Sequence, residues 1–152
     1  MPNWCYNRID VYGDEDTADQ VKEIHDIFEN EKQPFNQIFP IPDFKNIPNE
    51  KGELPKIEQH KNDKGEVVWE TFNFPDGTND DRWYHWCIDN WGTKWEPDIA
   101  DIDYEDSEIL ALQFNTAWSP PEGIMEKLRE KYPDLSFQCF YDEPGMEASG
   151  YY

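Results

Sequence analysis

Strict alternation of side-chain character near both ends of the chain constrains its fold more than any other feature. In residues 3–12, NWCYNRIDVY, Cys5, Asn7, Ile9 and Val11 share one parity, while Trp4, Tyr6, Arg8, Asp10 and Tyr12 share the other. Successive side chains of a strand point to opposite faces, so this stretch is a strand with one buried row and one amphipathic row. Residues 135–141, LSFQCFY, alternate in the same way. Residues 98–118 predict a hairpin in which Ala100, Ile102 and Tyr104 point one way and Asp101, Asp103 and Glu105 the other. Its return strand places Leu110, Leu112 and Phe114 inward. Cys5, Leu112, Phe114, Phe137 and Cys139 are the expected core. Residues 67–74, VVWETFNF, predict a further strand after a turn at 63–66, and Pro34, Pro40 and Pro42 restrict 35–41 to an edge strand or extended loop.

Three helices are interleaved with these strands. Ala18, Val21, Ile24 and Phe28 recur at helical spacing over 17–30, with Asp16 as expected N-cap. Residues 82–91, RWYHWCIDNW, predict an aromatic helix whose stripe is Trp83, Trp86, Cys87 and Trp91; Asp80 or Asp81 caps it, and Gly92 stands where a C′ glycine is expected. Ser119-Pro120-Pro121-Glu122 reads as a capping box opening a helix over 120–131, with Met125, Leu128 and Tyr132 buried. The tail from Glu143 is read as loop. The order β-α-(β)-insertion-β-α-β-β-α-β, with hairpins linking the middle strands, predicts an α+β fold: a mostly antiparallel sheet with helices on one face. A split β-α-β arrangement satisfies it compactly. Residues 43–66 read as a low-complexity surface insertion in a single domain, 1–152.

Charge bounds the partners. The chain has 34 acids against 13 bases, a formal net charge of −21. Its 24 aromatic residues oppose the disorder that such charge alone suggests. A field of this sign repels phosphate, which excludes a free-standing nucleic-acid or anionic-membrane binder. The three cysteines, at 5, 87 and 139, have no C-x-x-C spacing, so no zinc, redox or iron–sulfur site and no cofactor are expected. No apolar run approaches transmembrane length and no leader pattern opens the chain, so a cytoplasmic protein is expected.

Four segments occur in order: NWCYN at 3–7, WGTKW at 91–95, NTAWSPP at 115–121 and YDEPG at 141–145. Together they resemble the YubB-type ferredoxin-like domain family, small proteins encoded by phages and plasmids. The resemblance spans about 3–145 and implies a ferredoxin-like α+β fold without a cluster, and an accessory role in a mobile element. It implies no activity.

Catalytic signatures are missing from the sequence. There is no G-x-S-x-G and no P-loop, and His85 and Cys87 diverge on a helix. Counting an EF-hand loop from Asp101 puts Asp106 at the glycine position and Leu112 at the glutamate position, so the calcium signature fails. Trp91, Lys94, Trp95 and Trp118 are candidates for an aromatic pocket. The competing reading makes WGTKW a helix end with Trp95 packed beneath it. Trp83, Trp86, Trp91 and Trp118 are weighed as a cation cage and read instead as core. From Trp95 to Glu126 there are nine acids and no Lys or Arg. The expected interaction surface is therefore Asp98, Asp101, Asp103, Glu105 and Asp106, with Glu23 and Asp26 from the first helix. The function expected is a non-enzymatic acidic interaction module for a basic protein, in particular a nucleic-acid-binding one. The alternatives are a nucleic-acid mimic that occupies a host DNA-binding or defence protein, and a small-ligand-binding protein or enzyme with an aromatic pocket.

Overall fold

The computed structural model describes residues 3–152. In chain order the elements are β1 (Trp4–Tyr12), α1 (Ala18–Asn30), α2 (Pro34–Ile38), β2 (Lys56–Lys61), β3 (Val67–Asn73), α3 (Arg82–Trp91), β4 (Asp98–Asp106), β5 (Ile109–Ala117), α4 (Glu122–Lys131), β6 (Ser136–Glu143) and β7 (Ala148–Tyr151), with 3₁₀ turns at Phe44–Asn46 and Pro144–Met146. The chain divides into two compact units, one of residues up to 40 with 87–152, the other of residues 41–86. The second unit begins just before the insertion expected at 43–66 and runs on through β3 into α3.

In the larger unit β1 is the middle strand of a five-stranded sheet, ordered β4-β5-β1-β6-β7. Every pairing is antiparallel. The parity read from the sequence holds on β1: Cys5, Asn7, Ile9 and Val11 are all fully buried. Leu110, Leu112 and Phe114 of β5 join them, and Val21, Ile24 and Phe28 of α1 with Ile124, Met125 and Leu128 of α4 close the core from the same face. Phe28 stacks on Phe114 with ring centroids 5.9 Å apart. Full burial of each such side chain contributes about 1.5–3 kcal/mol, and this face is where the larger unit gathers its stability. Phe137, expected beside them, is only half-buried at the start of β6.

Five local expectations are corrected. Residues 35–41 do not form a strand. Pro34 opens the short helix α2, and the Glu96 carboxylate accepts from Phe35 N (2.7 Å) and Asn36 N (3.0 Å), so a residue 60 positions away supplies the cap. Burial pushes the Glu96 carboxyl above its ordinary range. Thr17, not Asp16, is the N-cap of α1, and it is held by Asp14, whose carboxylate accepts from Asp16 N and Thr17 N. Ser119 does not cap α4, which starts at Glu122; its hydroxyl donates to Gly92 O instead. Ala100 is exposed rather than inward, because β4 carries a bulge between Ile99 and Asp101. The tail is not loop: β7 pairs with β6, and the Tyr152 amide donates to Cys139 O.

The smaller unit is built differently. β2 and β3 form a two-stranded sheet closed by a turn in which Gly65 N donates to Asn62 O. The polar hub is Arg82. Its guanidinium meets Asp80 at 2.9 Å, donates to Phe44 O at 2.7 Å and lies over the Phe44 and Phe74 rings. The guanidinium holds the Asp80 carboxyl below its usual range. Among residues 41–86 only Asp80 and Pro55 are buried, so Trp83, expected in the core stripe with Cys87 and Trp91, is an exposed residue. No helix among the described residues is long and apolar enough to cross a membrane.

Candidate functional site

Within the larger unit α1 and α4 lie on one face of the five-stranded sheet, and no helix of that unit covers the other face. Its rows follow from the register. Asp101, Gln113, Arg8, Phe140 and Tyr151 stand side by side across β4, β5, β1, β6 and β7. The next row is Asp103, Ala111, Asp10 and Gln138, and on the opposite side lies Asp98, Asn115, Tyr6, Asp142 and Ser149. A shallow groove between the β1 and β7 rows is lined by Tyr6, Arg8, Asp10, Gln138, Phe140 and Tyr151. Phe140 and Tyr151 meet edge to face at 5.4 Å. Arg8 lies 3.3 Å from Asp10.

The bulges of β4 decide which acids share this face. Strict parity would separate Asp98 from Asp101. The bulge after Ile99 shifts the register, so Asp98, Asp101 and Asp103 pair with Asn115, Gln113 and Ala111. A second shift between Asp103 and Asp106 sets Asp106 opposite Ile109, and Glu105 is exposed beside it. Glu23 and Asp26 are not brought to this row. α1 lies on the covered face, where the Tyr132 hydroxyl donates to Glu23 at 3.0 Å. Asp26 is engaged by Lys22 (2.9 Å) and His25 (3.0 Å), which together hold its carboxyl below the ordinary value.

The four sequence segments converge at one end of the same sheet. Asn7 Nδ2 donates to Thr116 Oγ1 (2.9 Å), Thr116 Oγ1 donates to Ser119 O (2.7 Å), and Thr93 Oγ1 donates to Ala117 O (2.9 Å). Trp118 has φ +70° and donates its amide to Asn3 O at 2.8 Å. Sequence reasoning missed the partner that completes the chain: the Tyr152 hydroxyl donates to Asn7 Oδ1 at 2.8 Å, while Arg129 holds Tyr152 O at 2.9 Å. Burial raises the Tyr152 phenol strongly. Glu143, from YDEPG, is buried, accepts from Met146 N through one oxygen and leaves the other without a partner.

Of the pocket candidates, Lys94, Trp95 and Trp118 come together and Trp91 does not. The Lys94 ammonium stands 4.4 Å from the Trp95 ring and 5.8 Å from that of Trp118. Trp95 and Trp118 are 37% and 44% exposed, so Trp95 is not packed beneath the helix end. Trp91 is buried and its indole N–H donates to Phe39 O at 2.8 Å. Each histidine has a neighbour: His25 stacks on Tyr104, His60 contacts Thr71 and Trp69, and His85 lies 3.4 Å from Asp81. The three cysteines are buried thiols, pushed by desolvation to about 11 at Cys5, about 12 at Cys87 and about 11 at Cys139.

A sheet of this connectivity, with β1-α1-β4 and β5-α4-β6 as its two halves and helices on one side, is a ferredoxin-like α+β domain. Residues 90–152 match the family model described as a ferredoxin-like domain in Api92-like protein. Among solved structures, the crystal structure of a protein api92 from Yersinia pseudotuberculosis is similar in fold, with a TM-score of 0.54 and 12% identity, covering 99% of this chain and 93% of that one. No curated protein matches the sequence.

Proposed function

We propose that the protein is a non-enzymatic interaction module whose sheet face opposite α1 and α4 takes a basic protein segment in the cytoplasm. The observation that carries this reading is the charge of that face: Asp98, Asp101, Asp103, Asp106, Asp10 and Asp142 stand against Arg8, which is already paired with Asp10. Aromatic side chains between the acids supply apolar contact, so the partner's long cationic side chains meet carboxylates at their heads and rings along their stems. Engaged histidines and high-pKa thiols support a role without chemistry of its own. The ordered convergence of NWCYN, WGTKW, NTAWSPP and YDEPG supports kinship with the YubB-type proteins, and with it an accessory role in a phage or plasmid.

Charge density favours this reading over the nucleic-acid-mimic alternative. β4 holds Asp98, Asp101, Asp103, Glu105 and Asp106 in nine residues. At about 3.3 Å per residue that is one charge per roughly 6 Å, whereas each strand of duplex DNA carries one per about 3.4 Å of axis. The row suits an extended basic segment better than a groove built for a phosphate backbone.

The test is the binding of an extended Lys/Arg-rich peptide, followed by fluorescence anisotropy at low and high salt. Asp98→Asn/Asp101→Asn/Asp103→Asn is expected to weaken it about tenfold or more, and Glu23→Gln/Asp26→Asn to leave it unchanged. Affinity indifferent to both salt and the triple substitution overturns the reading. A host-lysate pull-down at the same two salt concentrations then identifies the partner, and a captured protein released by duplex DNA would favour the mimic.

A further inference from the structure

Arg8 is the only Lys or Arg in the five strands of the larger unit's sheet. It stands on β1, the middle strand, on the same face as Asp10, Asp98, Asp101, Asp103 and Asp142. Neutralising Asp10 explains only part of that placement. Arg8 Nε donates to Asp10 Oδ2 at 3.3 Å and Oδ1 at 3.4 Å, whereas a strong charge-assisted bond is about 2.7–2.9 Å long. Arg8 Nη1 and Nη2 make no hydrogen bond among the described residues, and the side chain is 53% exposed where that of Asp10 is 16%. Arginine thus turns one flank of its guanidinium to Asp10 and leaves the other donors to the groove that it lines with Tyr6, Gln138, Phe140 and Tyr151. Such a planar fork matches a carboxylate in two parallel bonds.

The register around Arg8 says what would satisfy it. Its row reads Asp101, Gln113, Arg8, Phe140, Tyr151. Neighbouring strands lie about 4.8 Å apart, so Asp101 stands roughly 10 Å to one side of Arg8 and Phe140 roughly 5 Å to the other. Each position asks for a different complement: a base at Asp101, an acid at Arg8, and an apolar group against the edge-to-face pair of Phe140 and Tyr151. A segment that is basic throughout would set a cation against Arg8, and like charges in contact reduce affinity. A free anion fares no better, because a chain of net charge −21 repels it. The carboxylate must be carried to Arg8 by bases on either side of it.

We propose that Arg8 and its groove form a carboxylate subsite that sets the register of the bound segment: the partner is an extended basic peptide with one Asp or Glu seated on Arg8, a base on its Asp101 side and an apolar residue on its Phe140 side. The inference rests on the reading of this face as a docking surface for a basic segment, and adds to it which basic segments fit. The acids attract every cationic chain; Arg8 discriminates among them, because a chain with a cation at that position is repelled there.

Two Lys/Arg-rich peptides test this, identical except for a central Glu or Gln that is followed by Phe, with binding read by fluorescence anisotropy at low salt. If the face acted only through its acids, the Gln peptide, which has the higher positive charge, would bind more tightly. The opposite order is expected: the Glu peptide binds more tightly by about threefold or more, the effect of a well-formed exposed ion pair. Moving the Glu to the peptide's end should remove its advantage. Arg8→Gln should invert the preference, with circular dichroism confirming the fold; if that variant misfolds, Arg8→Lys, which keeps the cation beside Asp10 without the fork, should shrink the preference. A Gln peptide that binds as tightly as the Glu peptide overturns the subsite, as does a Glu advantage that survives in folded Arg8→Gln. Salt-dependent binding of both peptides without a preference would leave the basic-segment reading standing and remove only this inference, whereas binding of neither would remove both.

Discussion

Gly92 and Gly123 occupy one crowded place for different reasons. Gly92 has φ +89°, and a Cβ there would stand 2.9 Å from both Glu122 N and Pro120 O. Gly123 has ordinary φ, but its Cβ would stand 1.6 Å from Asn90 O. The start of α4 is therefore pressed backbone to backbone against the end of α3. Gly92→Val and Gly123→Ala should each cost roughly 2–5 kcal/mol, through strain and overpacking, as a lowered midpoint in a denaturant titration. An unchanged midpoint for either would show that the junction yields. The first glycine was legible in the sequence, because a helix of predictable length ended just before it. The second was not, because its reason lies 33 positions away in the chain. Asn7 was likewise legible as a polar break in an inward row, but nothing local announced that Tyr152 satisfies it.

At the scale of elements, pattern succeeded where a face repeats and failed where a single contact decides. β1 follows period two throughout and β5 does so up to Thr116, and both were read correctly. α2 was not read as a helix, since five residues show no period and the stabilising acceptor is Glu96. β7 has a Gly-containing sequence with weak strand character and forms because β6 offers it an edge. In the β2–β3 unit the deciding contact is Asp80 with Arg82. Asp80 has its pKa lowered in the folded chain, so its contribution is present above the unfolded value of 3.8 and is lost as pH falls through the folded one. Acid titration should therefore loosen this hairpin unit as pH drops below about 4. Asp80→Asn should lower its stability at neutral pH while flattening that acid dependence, read from amide exchange in 56–73. A variant as pH-sensitive as the parent would assign the acid response to other carboxylates.

For the molecule as a whole, the sign of the charge was legible from composition, but its distribution was not, because the bulges of β4 and the position of α1 decide which acids share a face. The same distribution sets how salt acts on stability. The Arg and Lys ion pairs, such as Arg8–Asp10, Lys22–Asp26, Lys51–Asp76 and Lys127–Glu130, are mostly between exposed partners. Exposed pairs are worth about 0–1 kcal/mol each, so screening them costs little. Repulsion among 34 acids acts across the whole surface and is strongest in the folded state, where they are closest together. At 0.1 M salt the Debye length is about 10 Å and at 1 M about 3 Å, so added salt should relieve more repulsion than attraction. Between low salt and 0.5 M sodium chloride the melting temperature should rise by a few degrees, since about 1 kcal/mol corresponds to roughly 2–8 °C for chains of this size range. The larger unit, with the greater excess of acids, should respond more strongly than the hairpin unit. Scanning calorimetry at low and high salt checks this. A melting temperature that falls with salt would show that the paired charges, few as they are, outweigh the repulsion.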